Sequence, residues 1–398
     1  MNILNALINS LPIILLAMTI PGSLYLLLLT VAALLKPKTS VMPTTKHDGK
    51  LGIIIPAHNE AGGIAHTLLN LNTLAEIDGN TEIIVIADNC TDHTADICRI
   101  NNIRVIERTD NVVKGKGAAL NYAFETLAPE DHSAYIIIDA DTSATTNLLP
   151  VIRYHLANGA QVLQTRYNVR NYNDSPRTRL AEIATSAFNV VRLMGREKLG
   201  CSVGLLGNGF VVTKEVVRAV PYTALSVVED LEYHLKLVEA GLSVKFAYET
   251  TVFGDMPSGE QGNRSQHARW EGGRVHMLIE YAPKLLGAII AGNYRLIEPL
   301  VDLLLLPLAY HLLLILTAAT IALFSDFIAP LLLISAFSVT AIAIHVISTI
   351  KVAGLPWSRL SILLRIPLYL LWKITMVSSV LGASRKKTSW VRTNRNGS

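Results

Sequence analysis

The residues of this chain with the most chemical promise are carboxylates that follow apolar runs. Asp139-Ala140-Asp141 comes directly after Ile136-Ile137-Ile138. Two carboxylates one residue apart at a strand end can face a divalent cation that also bridges two phosphates, and hard oxygen ligands suit Mg2+ or Mn2+. The same pattern also occurs as a solvated turn. Asp88 ends a second apolar run. It either accepts hydrogen bonds from a base or ribose or, with Thr91 and Asp92, caps the helix containing Asp96. Lys114-Gly115-Lys116-Gly117 precedes a helix carrying Leu120-Asn121-Tyr122-Ala123. A basic turn at a helix start can hold a diphosphate through backbone N–H groups, the helix dipole and an ammonium. The Walker spacing is absent, and a plain solvated loop is the competing reading. Val228-Glu229-Asp230-Leu231 opens another helix, where a carboxylate serves either the dipole or general base catalysis. Gln266-His267-Ala268-Arg269-Trp270 offers an indole to stack on a sugar or apolar acceptor and a guanidinium to neutralise a leaving diphosphate. Trp and Arg also favour headgroup depth as simple anchors.

Short β-rich runs alternate with helical stretches around these residues. Strands are expected at residues 51–56, 81–88, 103–107 and 134–139, and helices near 62–74, 94–99 and 117–126. Runs such as Ile83-Ile84-Val85-Ile86 are apolar without alternation, which predicts parallel strands buried on both faces and joined by crossover helices. The fold class expected is a doubly wound α/β nucleotide-binding half, whose ligands bind beyond the carboxyl ends of the strands. Three predicted strands end in polar residues there: Pro56-Ala57-His58-Asn59-Glu60, Asp88-Asn89 and Asp139-Ala140-Asp141. Amphipathic helices are expected at 176–200 and 227–240. A further one, at 262–286, is expected to lie against a membrane.

Apolar residues make up 51% of the 398 and charged ones 17%. The apolar excess sits at 11–35 and again after about residue 296. The segment 11–35 is roughly 25 residues long, enough to cross a bilayer about 30 Å thick. No basic residue precedes it, which argues against a cleaved signal. Lys36, Lys38 and Lys46 then place the following domain in the cytosol. Segments 300–324 and 327–348 predict a hairpin of two crossings. Segment 362–383 contains Arg365 and Lys373, which are costly in lipid. Four full crossings would leave Arg385, Lys386, Lys387, Arg392 and Arg395 outside, against the charge rule. An interfacial or re-entrant last segment with a cytosolic tail reconciles the two. The organisation expected is therefore an anchor over 1–45, a catalytic domain over 46–280, a membrane region over 281–384 and a basic tail over 385–398. The net charge of +4 is mild and lies beside apolar segments, which predicts a membrane partner and no nucleic acid. Cys90, Cys98 and Cys201 form no CxxC pair and suit a reduced domain.

Asp88, Asp139-Ala140-Asp141, Glu229-Asp230 and Gln266-His267-Ala268-Arg269-Trp270 follow one another across roughly residues 50–275. This order resembles the D, DxD, (E/D)D, QxxRW series of family-two glycosyltransferases with the GT-A fold. That group includes cellulose, chitin and hyaluronan synthases, and ceramide glucosyltransferases resemble it. The resemblance implies an inverting, metal-dependent transfer from a nucleoside-diphosphate sugar, with UDP-glucose or UDP-N-acetylglucosamine as expected donors. Pro56, Ala57 and Glu60 would line the nucleoside site, with Asp88 on the base and Lys116 near the diphosphate. Asp139 and Asp141 would hold the ribose side and a Mg2+ or Mn2+ ion. Gly207-Asn208-Gly209 would line the acceptor entrance, and Asp230 would be the general base beside Glu229. Gln266, Arg269 and Trp270 would close over the acceptor and the leaving diphosphate. Trp390-Val391-Arg392-Thr393-x-Arg395 resembles a basic ending of bacterial exopolysaccharide glycosyltransferases, which implies the plasma (inner) membrane and a growing polysaccharide acceptor. A single transfer to a lipid is the alternative, because QxxRW occurs in both groups. There are departures. The acceptor loop lacks the Cys or Ser of some synthases, Val228 stands where many have Thr, and about four membrane segments are few for polymer extrusion. A polytopic transporter would lack the 46–280 domain. A non-catalytic sugar-nucleotide-binding regulator would show decay of the acidic positions, and they are intact.

Overall fold

The computed structural model describes residues 3–35, 47–257 and 259–384. Lys36, Lys38, Lys46 and the basic tail from Arg385 onward lie outside the described residues. The expected strands form at β1 (Leu51–Ala57), β2 (Thr81–Asp88), β3 (Arg104–Arg108) and β4 (Ala134–Ile137). Between them run α2 (Ile64–Asp78), α3 (Thr94–Ile100) and α4 (Lys116–Leu127), after the N-terminal α1 (Ile3–Leu34). The second half holds β5 (Ser143–Ala144), α5 (Leu148–Ala157), β6 (Val162–Val169), β7 (Phe210–Thr213), α8 (Lys214–Ala219), α9 (Glu229–Glu239) and β8 (Val244–Gly254). Between β6 and β7 lie α6 (Pro176–Ser186) and α7 (Leu193–Lys198).

The eight strands form one sheet in the order β3-β2-β1-β4-β7-β6-β8-β5. Ile53, Ile54, Ile55, Ile84, Val85 and Ile86 are wholly or almost wholly buried, because helices cover both faces of the sheet. The chain winds outward from β1 to β3 and returns to place β4 on the other side of β1. That reversal opens a crevice beyond the carboxyl ends of β1 and β4. The parallel expectation holds for β1 to β4, and β6 and β8 are also parallel, but it fails at β7 and β5. β7 runs antiparallel to both β4 and β6, so the sheet is mixed. The reversal brings the 204–209 loop, which precedes β7, back to the crevice.

The expected helix over 176–200 is interrupted by a π-helical stretch, Ala187–Arg192, between α6 and α7. Such insertions re-aim the side chains that follow them. The expected 262–286 helix extends to α10 (Glu260–Ile290). Segment 300–324 is not one straight limb. A short 3-10 turn (Tyr294–Leu296) leads into α11 (Ile297–Leu304), which bends by 70° into α12 (Leu308–Ala322). Pro307 begins α12, having no N–H to continue the α11 ladder. α13 (Ile328–Ala353) outruns its expected end, and a 3-10 stretch (Trp357–Arg365) precedes α14 (Ile366–Ser384).

Three helical segments, Ile3–Leu34, Ile328–Ala353 and Trp357–Ser384, are long and apolar enough to cross a membrane, or four if the bent pair counts as one. α1 packs against α12 and α13. Two buried polar pairs cross that bundle: Ser23 Oγ meets His311 Nε2 at 2.9 Å and Thr30 Oγ1 meets His345 Nδ1 at 2.7 Å. α14 instead lies along α10. There Lys373, 1% exposed, contacts Glu271 Oε1 and sits 3.2 Å from His267 Nδ1. The charge expected to be costly in lipid is thus met by a carboxylate from the sheet-bearing domain.

Candidate active site

Two strand-end loops form the crevice floor. Asn59 and Asn89 both take left-handed backbone conformations, with φ of 54° and 50°, which asparagine tolerates and β-branched residues do not. Each turn bonds to the other loop. His58 Nδ1 lies 2.7 Å from the Asp88 carbonyl, and the Thr91 amide donates to Asn59 Oδ1 at 2.7 Å. Asp92, not Asp88, takes the capping role, accepting from the Thr94 amide at 3.0 Å. Asp88 instead accepts from Arg108 Nη1 at 2.6 Å, both side chains being buried. The two are register partners on neighbouring strands. Arg108 escaped the sequence reading because the third strand was expected to stop one residue earlier, which left this arginine in a loop.

β4 ends two residues before Asp139, so the Asp139 amide needs another acceptor. Asn208 Oδ1 supplies it at 3.2 Å, while Asn208 Nδ2 donates to Thr142 Oγ1 at 2.8 Å. Lys116 opens α4, and its ammonium bonds Asp139 Oδ1 and the Gly207 carbonyl. Burial pushes the Lys116 pKa down, but Asp139, Glu229 and Asp230 outweigh it and raise the value. Two glycines allow this crowding. A Cβ on Gly117 would lie 2.1 Å from the Ala224 carbonyl oxygen, so α4 can approach the segment leading to α9 only without a side chain there. Gly207 has a φ of 73°, and a Cβ there would sit 3.2 Å from Asp230 Oδ2.

Glu229 and Asp230 open α9 side by side. Burial, and then the neighbouring Asp230 charge, push Glu229 up to about 7. Burial raises Asp230 too, against a 2.8 Å hydrogen bond from the Leu231 amide and the nearby Lys116 ammonium, which both lower it. Arg269, from α10, feels burial that lowers its pKa, while the carboxylates of Glu229, Asp139 and Asp230 oppose that change.

These groups share one cavity of about 600 Å³. Pro56, Ala57, Glu60, Asp88, Lys116, Asp139 and Asp141 line one end of the crevice. Gly207, Glu229, Asp230, Gln266, Arg269 and Trp270 line the same space. Asn208 and Gly209 stand behind the wall. Asn208 is 1% exposed and holds the Asp139 amide, and Gly209 directly precedes β7, with its amide on the Ile137 carbonyl. Asp139 and Asp141 place two hard oxygen donors one residue apart on the cavity wall, a set that suits a divalent cation. Among the described residues a separate Glu82–Glu130–His132 group also has metal-type donors within reach of one another. It lies at the amino ends of the strands, where Lys50 and Arg104 already pair with its carboxylates, so it fits an ion-pair network better than a metal centre.

A half of parallel strands, a reversed β7 and a carboxylate-rich crevice match the GT-A fold. The family model described as "Glycosyltransferase like family 2" matches residues 48–273, and the chain belongs to that family. Among curated proteins it is similar to the probable glycosyltransferase YdaM of Bacillus subtilis (strain 168), at 25% identity over 241 residues, 58% of this chain and 57% of the relative. It also matches a beta-monoglucosyldiacylglycerol synthase of Nostoc sp. (strain PCC 7120) at 25% over 194 residues, 47% of this chain and 41% of that one. The chain thus spans about half the length of the curated relatives it matches. Among solved structures, a mannosyltransferase of Pyrobaculum calidifontis in complex with GDP-Man and Mn2+ superposes with a TM-score of 0.54 at 16% identity. The match covers 92% of this chain and 99% of that one, a likeness of fold.

Proposed function

We propose that this protein is a membrane-embedded inverting glycosyltransferase that moves a sugar from a nucleoside-diphosphate donor, a UDP-sugar in our reading, to a hydroxyl of a lipid acceptor. One observation carries the acceptor class. The cavity that holds Asp139 and Asp230 continues without a wall to Leu305, Leu308, Leu312, Ile342 and Val346, which come from α12, α13 and the bend before α12. An apolar arm reaching the bilayer suits an acceptor that arrives from the membrane, and one matching relative is by name a glucosyldiacylglycerol synthase.

In this reading Pro56, Ala57, Glu60 and Asp88 hold the nucleoside. Asp139 and Asp141 would hold a Mg2+ or Mn2+ ion, which when bound supplies positive charge to the diphosphate. Asp230 takes the proton of the acceptor hydroxyl. The oxygen forms a bond to the anomeric carbon from the face opposite the diphosphate, and the carbon–oxygen bond to the diphosphate breaks. Lys116 and Arg269 stabilise the charge left on that oxygen. Trp270, 37% exposed, offers its ring to the sugar. The catalytic face lies in the cytosol beside the donor pool, with α1 and α13 crossing the plasma membrane and α14 lying in the interface along α10.

The test incubates purified protein with labelled UDP-sugar, Mn2+ and membrane lipids, and resolves the products by thin-layer chromatography and on a sizing gel. A single labelled lipid is expected. A ladder of water-soluble polymer would instead support the growing exopolysaccharide that the QxxRW resemblance implies.

A further inference from the structure

Below Asp230 the cavity enters a chamber that the transfer chemistry leaves unused. One turn along α9, His234 lies on the Asp230 face. A Cβ on Gly204 would lie 3.3 Å from Arg196 Nη1 and 3.9 Å from His234 Cε1, so these three share one spot. Arg192 ends the π-helical stretch, Arg196 follows one turn later in α7, and Arg274 comes from α10. All three reach Asp302 of α11: Arg192 in direct contact, Arg196 Nη1 at 3.6 Å and Arg274 Nη2 at 3.5 Å. Arg196 Nε also pairs with Glu298 at 2.7 Å. Three guanidiniums therefore meet two carboxylates, which leaves one positive charge in surplus. Arg192 is 4% exposed, lines the chamber, and its Nε has no hydrogen-bond partner.

We propose that this chamber binds the phosphate of a membrane phospholipid whose headgroup carries a free hydroxyl, and that such a lipid is the acceptor. The inference rests on the lipid-acceptor reading above and narrows it. A purely structural pin between α7, α10 and α11 accounts for Asp302. Arg274 also donates to the Asp302 carbonyl, and Arg192 lies over the Phe188 ring at 3.9 Å, but the pin does not account for the surplus positive charge or for the buried Arg192 Nε without an acceptor, both of which cost free energy. A phosphate satisfies both, because guanidinium–phosphate bonds are charge-assisted and geometrically matched. The lining of the cavity also fits. Asp230 would meet the hydroxyl, the arginines the phosphate, and Leu305, Leu308, Ile342 and Val346 the chains. A neutral lipid would leave the surplus charge unmet.

The test uses full-length protein in phosphatidylcholine vesicles carrying either phosphatidylglycerol or diacylglycerol of matched chains, with labelled donor. Phosphatidylglycerol should be the better acceptor. Arg192→Gln should raise its KM by about tenfold or more, the loss of one charge-assisted bond. The KM for donor should stay put even though loss of the Asp302 contact lowers the melting temperature, and Arg192→Lys should recover part of the KM loss. If Arg192→Gln does not fold, Arg274→Gln provides the same reading. Preference for diacylglycerol, or an equal loss on both lipids in the variant, overturns the proposal. Glycerol 3-phosphate glycosylated as well as the lipid would show a soluble phosphate to be the occupant, which also overturns it. Labelled polymer without labelled lipid would instead sink the lipid-acceptor reading itself, and this inference with it.

Discussion

Asp230 and Glu229 begin one helix with their carboxylates in the same buried space, and they cannot both ionise cheaply. Replacing Asp230 with Asn keeps the shape and removes the base. Transfer should fall by about a thousandfold, within the usual range for a lost general base, while donor affinity measured by calorimetry stays near wild type. The pair also sets a pH limb. A base acts when ionised, and burial has moved both groups upward, Glu229 to about 7. The rate should therefore fall with decreasing pH above the range of an ordinary carboxylate, with apparent values that belong to the pair. Lys116 holds both values down, so Lys116→Met should carry the limb to still higher pH in a pH–rate profile of the residual activity. Most of this residue set was visible in the sequence, because each acidic residue follows an apolar run or opens a helix. Arg108 was not. Its partnership with Asp88 depends on the register of two strands, and register is set by pairing that a single sequence does not display.

At the scale of elements, the four parallel strands were legible because continuous apolar runs have few alternatives when both faces are buried. The direction of β7 was not, since a strand of four residues, three of them apolar, carries no sign of orientation. The π-helical stretch at Ala187–Arg192 was equally hidden, as it departs from the α-helix by one residue per turn. The bend at Pro307 had a plain signal in the proline, which the apolar continuity of 300–324 masked. Packing between elements gives its own prediction. Gly117→Ala would drive a methyl group into the Ala224 carbonyl, and overpacking of this kind costs about 1–3 kcal/mol. Thermal unfolding should shift downward, and the Lys116 ammonium would lose its seat, so donor KM should rise together with the stability loss.

For the molecule as a whole, hydropathy separated anchor, catalytic domain and membrane region at residues 45, 280 and 384. The cavity ignores those borders, since Leu26 and Lys373 line it together with Asp88. Composition reports where a segment resides and not which surfaces it shares. A blocking substitution checks the apolar arm. Leu308→Trp should slow transfer to a lipid acceptor by about tenfold, as a bulky ring fills the route, while hydrolysis of the donor in the absence of acceptor stays unchanged.

Consecutive residues of α10 serve different contacts: Trp270 lines the cavity, and Glu271 pairs with Lys373 of α14. A fragment trimmed to residues 46–280 would keep Asp88, Asp139, Asp141, Glu229 and Asp230, yet it would have a site without a base plate. Such a fragment should retain nucleotide in a calorimeter and hand its sugar to nothing but water. The smallest working unit of this enzyme is then larger than its soluble portion, and harsh detergents that pry α14 from α10 should silence it before they unfold the sheet.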